Sequence, residues 1–229
     1  MNPLIFVAVL PFLFGFSFSP MSQSIDLGEK QKGTQFLLEN DGETKMAVEL
    51  TVKERKLTED GVETQVDTKE ISIFPPQVII PPKEKRTIRV TWNGPSELQS
   101  EKNFRVIAEQ LGLKVDEKTK NKSGIQMLMK YVAALYVTPD DAASKVTVES
   151  HSSDGKEIVL KIDNAGNKHQ ILGDPTISFE QNDKKVQIKA QDLKGLAGEN
   201  VLANSKRVFK IKNSTTIPAN SKVSIKVND

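Results

Sequence analysis

The chain contains no cysteine and only two histidines among its 229 residues. The first absence excludes a disulfide scaffold, a thiolate zinc site and a cysteine nucleophile. The second leaves little with which to build a metal cage. A surplus of one charge is also missing. The 32 basic and 30 acidic side chains leave a net charge of +2, without the basic excess of a nucleic-acid binder. Catalytic motifs are absent as well: there is no G-x-S-x-G, no Walker loop and no G-x-G-x-x-G. His151 and His169 lack any His-x-x-x-His or His-Glu partner and read as surface histidines. The expectation is therefore no enzyme, no cofactor and no metal. Apolar residues at 37% and charged residues at 27% are ordinary for a globular chain, so wholesale disorder is excluded.

Long hydrophobic runs are scarce, and the main one stands first. Residues 1–16 read MNPLIFVAVLPFLFGF, without a charged side chain. The apolar stretch is short of the ~20 residues that span a bilayer, but it fits a secretory h-region. Gly15 and Ser17 are small and spaced two apart, which predicts a signal peptide over residues 1–17, cleaved after Ser17. The n-region carries no Lys or Arg. This reads as an exported protein without stable membrane insertion, whose cores must hold without disulfide staples.

What the rest of the chain has is alternation. Met46, Val48, Leu50 and Val52 recur with period two, as do Ile88, Val90 and Trp92, then Phe104, Val106 and Ala108. The pattern returns at Ile158, Leu160 and Ile162, at Ile177 and Phe179, and at Val223, Ile225 and Val227. Half-buried antiparallel strands look like this. Turn signals such as Asp41-Gly42, Asp60-Gly61, Asn93-Gly94-Pro95 and Asn164-Ala165-Gly166 separate them. No long stretch keeps helical spacing. The fold class is all-β, with many short strands that suggest β-sandwiches. The strand pattern breaks near residues 138–144, which predicts two domains, 18–138 and 139–229. The segment 114–123, polar except for Val115, reads as a solvated loop.

One strand breaks the alternation. Residues 124–139 read GIQMLMKYVAALYVTP, with Ile125, Met127, Met129 and Tyr131 on one face and Gln126, Leu128, Lys130 and Val132 on the other. It is apolar on both faces, as a central buried strand would be. At the end of a domain it also suits an exposed edge that lends itself to a partner.

Several stretches, taken in order, resemble the periplasmic pilus-assembly chaperones of the chaperone–usher pathway. They are FLLENDG (36–42), IFPP (73–76), IPPKEKRTIRV (80–90), FRVIAEQL (104–111), LYVTP (135–139) and DNAGNKH (163–169). The FRVIAEQL and YVTP pieces and the lack of cysteine are closer to the archaic branch. The resemblance implies two immunoglobulin-like β-sandwich domains in an L shape, and a periplasmic chaperone without catalysis. It implies binding of pilin subunits by donor-strand complementation, and delivery of them to an outer-membrane usher. Ile125, Met127, Met129 and Tyr131 would form the donor strand. Conventional members anchor the subunit's C-terminal carboxylate with an Arg on the first strand and a Lys on the last. Here those positions fall near residues 22–24, which hold no Arg, and on Ala134. The anchor candidates that remain are Arg105 and Lys130. A self-capping dimer of the free protein is left open. A competing reading is a structural or adhesive two-domain surface protein, which should carry an alternating N-terminal donor extension. Residues 19–32 are short and polar instead.

Overall fold

A computed structural model describes residues 15–112, 127–182, 184–212, 215–218 and 220–228. The alternating segments of the first half become ten strands: β1 (Phe16–Ser19), β2 (Ser22–Asp26), β3 (Gly33–Asn40), β4 (Met46–Leu57), β5 (Glu63–Asp67), β6 (Ile71–Phe74), β7 (Gln77–Ile80), β8 (Lys85–Trp92), β9 (Lys102–Leu111) and β10 (Lys130–Thr138). One sheet orders β1-β3-β8-β6; the other orders β2-β10-β9-β4-β5, with β7 added to β4. Phe36, Leu38, Ile88 and Val90 of the first sheet share one core with Leu50, Phe104, Val106 and Leu135 of the second. The prolines at 75–76 and 81–82 flank β7, where a missing N–H costs no interior ladder bond.

The second half contributes β11 (Val146–Ser153), β12 (Glu157–Asn164), β13 (Gln170–Ile171), β14 (Asp174–Gln181), β15 (Lys184–Lys189), β16 (Asn200–Val201), β17 (Ser205–Lys212) and β18 (Lys222–Asn228). Two three-stranded sheets, β11-β12-β17 and β15-β14-β18, enclose a second core of Ile158, Leu160, Ile162, Ile177, Phe179 and Phe209; β13 and β16 form a small ribbon. Among the described residues helical structure is limited to the 3-10 turn Ala190–Asp192. The all-β, two-sandwich architecture expected from the alternation is the one the chain adopts.

Each sandwich contains the same asparagine staple. Asn40, buried at the end of β3, donates from Nδ2 to the carbonyls of Thr44 (2.8 Å), Ile80 (3.0 Å) and Pro81 (3.0 Å), while its Oδ1 accepts from the Gly42 amide. Asn164, buried at the end of β12, donates to Lys168, Val201 and Leu202 carbonyls and accepts from the Lys145 and Gly166 amides. In both, an Asn-x-Gly that reads as a simple turn ties the strand end to a segment about 40 residues away.

The N-terminal strand changes sheets. β1 pairs antiparallel with β3, the Ser19–Pro20 peptide is cis, and β2 then pairs parallel with β10. Phe16 and Ser17, which the sequence assigns to the signal peptide, lie in β1; residues 1–14 lie outside the described residues.

Candidate functional site

The sheet switch determines what happens to β10. Along its whole length β10 pairs on one side with β9, from Lys130↔Glu109 to Val137↔Lys102. On the other side β2 covers only Ala134 to Thr138. Continued back in the same parallel register, the chain would bring Phe18 opposite Lys130, but Phe18 sits in the other sheet against Leu38. Among the described residues, 130–133 are thus an edge. The same strand is central and buried in its second half, from Ala133 to Thr138, which accounts for its two apolar faces. Natural proteins usually blunt such edges.

The strand is shorter than its sequence pattern suggests. β10 begins at Lys130, not at residue 124. Ile125 lies outside the described residues, as does the polar segment 114–123. Tyr131, Ala133, Leu135 and Val137 pack on the first core. The same alternation runs back to Met129 and Met127. Tyr131 is committed to its own domain: its ring meets Phe16 edge-on at 4.9 Å and its hydroxyl donates to the Phe16 carbonyl (2.6 Å). Met129 is partly buried against the same core and its carbonyl accepts from the Gln110 amide. Met127 lies beyond, 76% exposed, next to Leu128 at 52%. Among the described residues, the core face of β10 therefore extends past the end of the sandwich as apolar side chains without a covering sheet.

The two anchor candidates are not brought together. Arg105 lies across from Ala134 and Lys130 across from Glu109. That is four residues apart along the strand, about 14 Å. Lys130 pairs with Glu109 at 2.8 Å at the exposed upper rim. Arg105 sits lower, on the sheet face away from the core, and meets Glu63 in a bidentate pair, Nε to Oε1 at 3.0 Å and Nη2 to Oε2 at 2.6 Å. A second guanidinium converges there: Arg55 Nε donates to the same Oε2 at 2.7 Å. Lys53 pairs with Asp67 beside them. Arg55 and Glu63 were not foreseen, although they flank the Asp60-Gly61 turn signal and belong to the hairpin it closes.

The Arg105 guanidinium, helped by Gln65 and Arg55, holds the Glu63 carboxyl down at about 2 against the opposing effect of burial. An unperturbed glutamate titrates near 4.5. A folded-state value below the unfolded one stabilises the fold above the unfolded value, and that contribution is lost as pH falls from about 4.5 toward 2. Glu63→Gln is therefore expected to lower the melting temperature by about 2–4 °C at neutral pH. The gap should narrow below about pH 4.5 and close toward pH 2, as thermal melts across pH will read.

Below the arginines the sheet meets the second sandwich. Buried Glu101 accepts from Thr138 Oγ1 (3.3 Å) and the His169 amide (3.2 Å), with His169 Nδ1 at 2.8 Å; the imidazole stacks on Tyr136 at 3.8 Å. Tyr136 accepts from Asn200 Nδ2 (2.9 Å), and burial pushes its phenol up. His169 is thus an interface residue, contrary to its reading as a surface histidine: a buried carboxylate needs such a partner. His151 is likewise partly buried, its ring edge-on to Phe179. The β4–β5 turn docks on the same sandwich, with the Val208 amide donating to the Glu59 carbonyl (2.8 Å). Gly61 in that turn has φ of +85°, a backbone conformation that favours glycine, and a Cβ there would lie 2.6 Å from Arg207 Nη2, which would have to shift.

Residues 17–143 match a family model described as pili and flagellar-assembly chaperone, PapD N-terminal domain. The search of curated proteins returns no match. Among solved structures, the chain is similar to the CsuC–CsuE chaperone–tip adhesion subunit pre-assembly complex from archaic Csu pili of Acinetobacter baumannii, at 22% identity and TM-score 0.64, covering 91% of each chain. It is also similar to a chaperone–tip adhesin complex of CFA/I fimbriae, at 19% identity and TM-score 0.63, covering 94% of this chain and 92% of that one. The class 5 fimbriae chaperone CfaA aligns at 18% identity and TM-score 0.61, over 93% of this chain and 100% of its own. At these identities the structural likeness establishes the two-sandwich fold.

Proposed function

The chain belongs to the family of pili and flagellar-assembly chaperones, and from that premise we propose that it captures pilin subunits in the periplasm by lending them a strand. The observation that carries this reading is the half-covered strand β10. Among the described residues its edge is open over 130–133, and its core-side face continues to Met127, 76% exposed. A subunit that lacks its last strand offers the complement. Backbone hydrogen bonds to β10 supply generic affinity, and alternate side chains enter the subunit's groove. Ile125 and Met127 are the lent residues and Met129 reaches the groove's near end. Tyr131 holds the strand to its own sandwich through Phe16. Methionine repacks easily, which suits a donor serving several related grooves.

Arg105 anchors the subunit's terminal carboxylate within the cleft, where a guanidinium can bind it in bidentate fashion. Lys130 lies at the rim beside the donor edge and steers approach. The loaded complex is passed to an outer-membrane usher. An N-terminal leader directs export, and the packing of Phe16 under Tyr131 favours a leader ending before Phe16 over one ending after Ser17. The units are a strand-lending domain to residue 138 and a supporting domain from 139.

The test is co-expression with pilin subunits of the source organism. A subunit without its last strand should co-purify one-to-one. The same subunit given its own donor strand by fusion should not be retained. Equal retention of both, or of neither, would refute strand lending.

A further inference from the structure

The cleft cations are already occupied by a group of the protein itself. Arg55 on β4 and Arg105 on β9 stand on neighbouring strands in the middle of the sheet, with side chains 9% and 19% exposed. Among the described residues the salt bridges of both end on one carboxylate, Glu63. Two arginines sharing a single carboxylate leave that cluster one positive charge in excess. Glu63 comes from β5, the outermost strand of the sheet, five residues long and mostly exposed. The arginines are held by the sheet's interior while their partner hangs on its margin. Directly across from Arg105, β10 and β2 present the small side chains of Ala134 and Ser22, and Tyr136 follows on the same face of β10.

Resting on the chaperone reading above, we propose that Arg55 and Arg105 form a two-arginine carboxylate site that Glu63 fills in the free protein, and that a chain's terminal carboxylate binds by displacing Glu63. The exchange has a physical rationale. Two partly desolvated guanidiniums facing each other unpaired would destabilise the free protein, and Glu63 prevents that. As a tethered competitor, Glu63 also sets a threshold: a ligand must outbid a carboxylate held at high effective concentration. A lone carboxylate metabolite then binds poorly. A subunit whose strand is simultaneously paired along β10 exceeds the threshold, because its own carboxylate is presented intramolecularly as well.

The experiment uses the full exported chain and N-acetyl-L-phenylalanine as probe, with N-acetyl-L-phenylalaninamide as its uncharged counterpart. Binding is read from the arginine Nε–Hε signals by NMR. Glu63→Gln is expected to bind the acid roughly tenfold more tightly than the wild type, through loss of the competitor. The amide should bind neither, and adding Arg55→Ala or Arg105→Ala to Glu63→Gln should abolish acid binding. Glu63→Asp keeps the charge with a shorter reach and should fall between the two, which preserves the test if Glu63→Gln fails to fold. Equal acid affinity in wild type and Glu63 variants, or amide binding as tight as acid binding, overturns the proposal. Subunit co-purification is scored alongside. Normal capture with equal acid affinities removes the exchange alone, whereas a wild type that captures no subunit removes the chaperone reading with it.

Discussion

Met127→Asp is expected to abolish subunit capture while the protein stays folded. Met127 is 76% exposed in the free protein and lies outside β10, so the substitution should change stability by less than about 0.5 kcal/mol. In the complex the same side chain enters an apolar groove. A carboxylate carried there without a partner costs several kcal/mol or forces the strand out. Since each 1.4 kcal/mol is a factor of ten, affinity should fall by about a thousandfold, beyond recovery in a pull-down. Leu128→Asp is the matched comparison: Leu128 is also exposed, yet it belongs to the opposite face of the alternation. It should weaken capture far less. Equal losses from both variants would mean that the segment acts as a general sticky patch, and retained capture by Met127→Asp would end the donor-strand assignment.

Asn164→Asp should cost about 3 kcal/mol or more, through the charge-facing-carbonyl penalty. The side-chain amide donates to the carbonyls of Lys168 (2.8 Å), Leu202 (3.1 Å) and Val201 (3.2 Å) in a fully buried site. Aspartate preserves shape and the two bonds accepted by Oδ1, but turns the donor into an oxygen facing three carbonyl oxygens. A loss of that size corresponds to a melting temperature lower by roughly 6–12 °C. Circular dichroism melts will read it, and subunit capture below the transition should persist because the donor strand lies in the other sandwich. A melting temperature within about 2 °C of the wild type would show that those carbonyls find other donors, and the staple would lose its structural importance. Asn40 makes the equivalent bonds in the first sandwich, where the same change is expected to disturb the chaperone face as well.

Legibility differed by the range of the interaction. The strands around Leu50, Val90, Phe104 and Leu160 were readable because side-chain alternation is a local consequence of the pleat. The turn at Asp60-Gly61 was readable for a similar reason: a positive φ selects glycine whatever the rest of the chain does. Asn164 was read as part of a turn signal and Asn40 directly precedes one, which captures one of the bonds of each. The other partners lie about 40 residues away, and no spacing rule reaches them. The anchor candidates show the same limit. Arg105 was named from sequence as an anchor candidate, but its partner Glu63 lies 42 residues distant, and Lys130 sits at the rim beside Glu109.

The sequence by itself determined the all-β class, the division into two cores, the absence of disulfide support, and the unusual apolar character of the segment leading into β10. Each is a property of composition or of period-two patterning, which a chain carries whether folded or not. Only the tertiary structure decided which half of β10 is buried and which is an edge. That depends on β1 and β2 parting company at Ser19–Pro20, so that Phe18 packs beside Leu38 and, among the described residues, no strand faces Lys130 on that side. It also decided that Glu63 closes over two arginines, and that His169 meets Glu101 between the sandwiches. Pairing across sheets and domains is selected by the packing of the whole chain, and no local pattern encodes it.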